Sequence, residues 1–132
     1  AGMRSHVTEA LSRGDREAAT VHYDKLLELD PRQVLGRPQQ LDVANQYYTM
    51  HRLPQAAAAY EKYLSHYPNA PDRDQVKLLL GIIYARDLQQ FEVAQEHLRQ
   101  VKDRIHDEKR LAQCQHWLDV AAQALGRPAT GS

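Results

Sequence analysis

Eight consecutive residues, Leu78-Leu79-Leu80-Gly81-Ile82-Ile83-Tyr84-Ala85, form the longest apolar run in the chain. On a helix, at about 100° per residue, their side chains point in every direction. Leu80 and Tyr84 fall on one side, Leu78 and Ile82 on a second, and Leu79 and Ile83 on a third. A helix that is apolar all round has to be covered on several sides. In a chain of 132 residues that places it in the middle of a helical stack. Gly81, at its centre, costs roughly 1 kcal/mol against alanine. A helix keeps such a residue where another backbone has to come close.

The rest of the chain supplies what would surround it. Ala, Leu, Gln, Glu and Arg dominate while Phe and β-branched residues are scarce, which is the composition of helices. The length suits one domain, 1–132, with a proper core. Lys+Arg and Asp+Glu are 17 each, so no basic excess exists to hold phosphate backbones, and nucleic acid is excluded as the expected partner. Cys114 is the only cysteine and can form no intrachain disulfide. The compartment stays open on that evidence, with the cytoplasm weakly favoured. The eight-residue run is far short of the ~20 residues of a membrane span, so no direct membrane insertion is expected. Ala1-Gly2 and Gly131-Ser132 look like joining remnants, and the expectation is a domain cut from a longer protein.

Punctuation divides the chain into about seven helices. The first covers 3–13. Gly14-Asp15 restarts the pattern with Asp15 as N-cap, and a second helix covers 16–29 and stops before Pro31. Pro38 suits the first turn of a third helix reaching about His51, and Pro54 opens a fourth that ends at Tyr67-Pro68. Asn69-Ala70-Pro71-Asp72 is a loop, after which the central helix runs to about Leu88. A sixth helix spans Phe91 to about Ile105. The seventh, about Asp107 to Leu125, is closed by Gly126 and Pro128.

These helices repeat. Ala19-x3-Tyr23 recurs 37 residues on as Ala56-x3-Tyr60, each with a proline twelve residues after the alanine, Pro31 and Pro68. Ala94-x3-Leu98 is a third copy, with His106 in the proline position. Val43-Ala44-x2-Tyr47 matches Leu80-Gly81-x2-Tyr84 at the same spacing of 37. The pattern resembles the tetratricopeptide repeat (TPR), a helix–turn–helix unit marked by aromatic-x2-Leu-Gly-x2-Tyr, then Ala-x3-Phe, then Pro. Lys77 stands where the family has its first aromatic, and the repeats are longer than usual. The resemblance implies an all-α, antiparallel stack of helix hairpins wound as a right-handed superhelix. Its repeats would be about 3–31, 38–68 and 72–105, with a capping helix at about 107–125. On that helix Leu111, Cys114, Leu118, Ala121 and Leu125 form an apolar stripe with Trp117 at its edge.

The resemblance also implies a function: a non-catalytic scaffold that binds a protein or peptide partner in a groove lined by the first helix of each pair. The matching positions are Leu41, Asn45 and Tyr48 on the third helix, and Ile82 and Arg86 on the fifth. Against this, Leu41, Leu78 and Ile82 also read as ordinary core, since apolar helix stripes usually are. The subfamily that grips a C-terminal carboxylate would need cations where this chain has Arg4, Thr8, Asp42, Gln75 and Leu79, and only Arg4 qualifies. Tyr60, Tyr63 and Tyr67 form a stripe in which Tyr60 reads as core and the other two as packing residues with hydroxyls in water. Cys114-x-His116 is no metal signature, and no phosphate loop or nucleophile motif occurs, so neither a cofactor nor an enzyme is expected. The mixed charges of His106-Asp107-Glu108-Lys109-Arg110 read as a solvated helix junction. The alternative function is a self-associating homo-oligomer or a structural module of a larger, membrane-attached protein.

Overall fold

A computed structural model describes residues 2–126, and within them the chain is all-helical, with seven α-helices and no strand. They are α1 (Met3–Ser12), α2 (Arg16–Leu29), α3 (Arg37–Thr49), α4 (Leu53–His66), α5 (Arg73–Ile82), α6 (Phe91–Lys102) and α7 (Glu108–Ala124). A π-helical segment, Ile83–Leu88, prolongs α5. The backbone forms two compact units, Ala1–Pro68 and Asn69–Ser132.

The first unit packs α1 on α2, α3 on α4, and α2 on α3. Its boundaries follow the expected signals. The Asp15 carboxylate accepts the Ala18 N–H at 3.1 Å at the start of α2, and Asp30, extended before Pro31, ends it. Ala19, Ala44 and Ala56 are wholly buried, so helices meet where the side chains are small. Around them lie Tyr23, Tyr47, Tyr60 and Tyr63, each at most 1% exposed.

Burying four phenols requires partners for their hydroxyls, and periodicity alone does not show where these come from. Gln40 supplies one set. Its Nε2 donates to the Tyr23 hydroxyl at 3.1 Å and to the Ala59 carbonyl at 3.0 Å, while its Oε1 accepts the Leu35 N–H at 3.0 Å. Leu35, in the loop between α2 and α3, is thereby drawn into the core. Asp24 supplies another set: it accepts hydrogen bonds from the Tyr47 hydroxyl and, at 3.1 Å, from an N–H of the Arg52 guanidinium. Burial, then the bond to Asp24 and its charge, push the Tyr47 phenol above its ordinary range. Tyr63 and Tyr67 depart from expectation. Tyr63 is fully buried, with Arg37 donating to its oxygen at 3.4 Å, and the Tyr67 hydroxyl donates to the Leu35 carbonyl at 2.6 Å instead of to water.

The second unit is held by close packing of aliphatic side chains. Leu78, Ile82, Leu98, Val101, Cys114 and Leu118 form one cluster, with Ile105 and Trp117 packed on it. Gly81 lies against α6 as expected, but what crowds it is a side chain: a Cβ there would lie 2.6 Å from Leu98 Cδ2, with the Ala94 carbonyl oxygen at an ordinary 3.5 Å. The apolar run is buried at every position except Leu79, which is half-buried.

Three details differ from the sequence reading. The central helix turns π-helical at Ile83, where i→i+5 bonding shifts the following residues off the α-helical register. It ends at Gln89 in the left-handed region (φ 54°), with the Gln90 N–H bonded to the Tyr84 carbonyl at 2.9 Å. Next, α6 stops at Lys102 instead of near Ile105, leaving less surface to cover the first turn of α7. Leu111 therefore stays 37% exposed, while Cys114 and Leu118 in the same stripe are buried. At the end of α7, Gly126 takes φ 71° and its N–H bonds Gln123, as a C-terminal glycine should; Pro128 lies outside the described residues.

Candidate partner-binding site

In the first unit the candidate residues lie along α3. Leu41 and Tyr48 are half-buried and Asn45 is exposed. A free carboxamide could pair with both the N–H and the C=O of a bound backbone. Asn45 is already half committed, since its Oδ1 accepts the Tyr60 hydroxyl at 2.5 Å. What it presents outward is the amide NH2, a donor pair. Burial, with Tyr48 nearby, pushes the Tyr60 phenol upward, so it stays a neutral donor that fixes the Asn45 rotamer. Asn45 also lines a polar depression of about 200 Å3 with Arg16, Asp42, Gln46 and Thr49.

Arg4 does not join this face. Its guanidinium donates to Gln33 Oε1 at 3.2 Å and to the Val34 carbonyl, tying α1 to the loop that carries Leu35. Lys62 reaches the same loop from α4, donating to the carbonyls of Pro31 and of Gln33, the latter at 3.0 Å.

In the second unit Ile82 has a double role. It is 7% exposed and belongs to the aliphatic cluster, yet its remaining surface lines a cleft between α5 and α7. That cleft, about 180 Å3, is walled by Gln75, Leu78, Leu79, Ile82, Arg110 and Gln113. Sharing Gln75, Leu78 and Arg110 with it, a second hollow of about 320 Å3 extends over the α6–α7 loop. Arg86 is exposed in the π-helical segment, and its guanidinium pairs with its neighbour Asp87 at 2.9 Å.

Neither Arg110 nor Gln113 is a sequence candidate, because Arg110 falls in the run that reads as a solvated helix junction and Gln113 on the capping helix. For Arg110 one part of the signal is local, while its pairing with the α5 floor is not. Lys109 and Arg110 sit in the first turn of α7, where the helix dipole disfavours cations.

The arrangement offers binding chemistry: apolar floors, amide donors and guanidinium groups. Among the described residues no cluster of three His, Cys, Asp or Glu is placed to hold a metal ion. Burial pushes the Cys114 thiol up, and its sulfur faces the Leu98 carbonyl at 3.6 Å, so it behaves as a small apolar side chain.

The sequence matches the YfiO family model, described as "Outer membrane lipoprotein", over residues 3–116. No curated protein matches the chain.

Proposed function

The chain belongs to the YfiO family, which is of the TPR type, and from that premise we propose that it is a non-catalytic scaffold holding an extended or helical segment of a protein partner. The observation that carries this reading is the cleft between α5 and α7, where Leu78, Leu79 and Ile82 floor an opening that no helix of the unit closes. A floor of that kind, edged by a few polar groups, suits a side chain from another protein. In the first unit Leu41, Asn45 and Tyr48 offer the same mixture of apolar area and donors. Arg86 lies in the π-helical segment, off the α5 register and paired with Asp87, and it lines neither hollow.

A partner recovered by pulldown tests the reading. Central contacts should carry most of the binding, with truncation at a hot spot costing roughly 2 kcal/mol or more. Asn45→Ala/Tyr48→Ala is compared with Lys25→Ala, an exposed position on α2. Lys62 is unsuitable as the control because its ammonium holds the α2–α3 loop. Wild-type affinity in the double variant, with ellipticity unchanged, would move binding off α3.

A second reading is favoured by the family description itself: a module of a membrane-attached protein, carried at the membrane by another part of its parent. Among the described residues no helix is long and apolar enough to cross a membrane. Light scattering over a concentration series separates a self-associating module from a hetero-binding one.

A further inference from the structure

We propose that the cleft between α5 and α7 is selective for an acidic, amphipathic peptide segment: an apolar side chain seats on Leu78 and Ile82 while a neighbouring Asp or Glu pairs with Arg110. The inference deepens the scaffold reading and rests on it.

Two observations carry this chemistry and a third is compatible with it. First, Arg110 is the charged residue that lines the cleft itself, and in the adjoining hollow, which also holds His106, two carboxylates are engaged. Asp74 holds Arg104 at 2.7 Å, and Asp107 uses its carboxylate to accept the Arg110 backbone N–H at 2.9 Å as the cap of α7. The Arg110 guanidinium has no acceptor among the described residues, although it walls both hollows. An unpaired cation beside an apolar floor complements an amphipathic acid.

Second, the position of Arg110 contradicts the local rule for helices. A cation in the first turn opposes the dipole, typically by a few tenths of a kcal/mol to about 1 kcal/mol at an exposed site. Arg16, Arg37 and Arg73 sit in comparable first-turn positions on α2, α3 and α5, and Asp107 and Glu108 offset the dipole in the same turn, so the position leaves Arg110 available for a partner without marking it. Third, Gln75 and Gln113 stand on opposite walls, exposed and without side-chain hydrogen bonds among the described residues. Each can donate to and accept from a peptide backbone, whatever its sequence. The specificity would then come from the floor and the guanidinium.

The acid is assigned to a side chain in preference to a chain terminus. Gripping a terminal carboxylate takes several converging donors with charge, and here Arg110 is the charged residue that lines the cleft.

Arg110→Glu is a clean probe, because the side chain is exposed and an acid in the first turn suits the dipole, so the fold should survive. A displayed library of random linear peptides is panned against wild type and against Arg110→Glu, both checked by circular dichroism. The proposal expects wild type to enrich peptides with an apolar residue beside Asp or Glu, and Arg110→Glu to bind the best of them about tenfold more weakly and to enrich Lys or Arg instead. If both proteins enrich the same peptides, the cleft assignment is overturned while the scaffold reading stands. Enrichment of acid only at the peptide C-terminus overturns the side-chain assignment. No enrichment by wild type overturns the scaffold reading along with this one. A wild-type dimer in light scattering that Arg110→Glu dissolves gives the cleft to a second copy and likewise overturns it.

Discussion

The two units solve the same problem, burying the faces of antiparallel helices, with different materials. The first fills its interior with phenols and a carboxamide: Tyr23, Tyr47, Tyr60, Tyr63 and Gln40 are all at most 1% exposed. Its packing is therefore tied to hydrogen-bond directions, and each hydroxyl needs a named acceptor or donor. The second fills its interior mainly with Leu, Ile and Val around a glycine, with Tyr84 and Gln95 as its buried polar side chains, and its main constraint is volume. Buried polar networks tolerate little loss of a partner, whereas aliphatic cores tolerate little change in size. The first unit should thus respond to chemistry and the second to bulk.

The largest test of that contrast removes α7. A chain ending at His106 loses Cys114 and Leu118 from the aliphatic cluster and exposes the rest. Terminal repeats need such a covering helix. Hydrogen exchange should show α5 and α6 losing protection while α1–α4 keep theirs. A truncated chain that stayed monomeric and unfolded cooperatively throughout would show that α7 is not the cap of this unit.

Gly81→Leu comes next. The first added carbon already lies 2.6 Å from Leu98, so the leucine must displace α6. Overpacking of this kind costs about 3 kcal/mol, read as a lower urea midpoint with protection lost from α5 to α7. An unchanged midpoint would mean that α5 and α6 are further apart than the glycine implies.

The matching change in the first unit is Gln40→Leu, nearly the same volume without the amide. It strands the Leu35 N–H and the Ala59 carbonyl and removes the donor to Tyr23. The expected loss is about 2 kcal/mol, confined to α2–α4. If Gln40→Leu were neutral and Gly81→Leu also mild, the proposed division between polar and volumetric constraint would fail.

The gentlest perturbation is pH. Burial comes first among the causes that raise the phenols of Tyr23, Tyr47 and Tyr60 above 10.0. A folded-state pKa above the unfolded one means the stabilisation is full below about pH 10 and is lost as pH rises through the folded values. In the second unit burial pushes the Cys114 thiol the same way. Phenolate absorbance should rise late and together with loss of ellipticity. Ordinary titration of all seven tyrosines with ellipticity intact would break the comparison.

The candidate site was legible in unequal parts. Leu41, Asn45, Tyr48 and Ile82 come from the groove that the TPR resemblance implies, helical spacing then setting which side chains share a face. The commitment of Asn45 to Tyr60, and of Arg86 to its neighbour Asp87, depends on rotamers that spacing does not contain. Arg110 was hidden for a different reason: its wall belongs to α7 and its floor to α5, residues about thirty positions apart in the chain.

By itself the sequence determined the helices, their starts at Asp15 and Pro38, the 37-residue repeat and the contact at Gly81, all of which rest on local backbone preference and on which side chains are small. Tertiary structure alone decided that Gln40 is buried, that Tyr67 bonds Leu35, that the central helix ends π-helical at Ile83, and that Leu111 remains exposed while Leu118 does not. Those outcomes depend on where a second element ends and what it offers in return, and a single helix's periodicity carries no record of its neighbour.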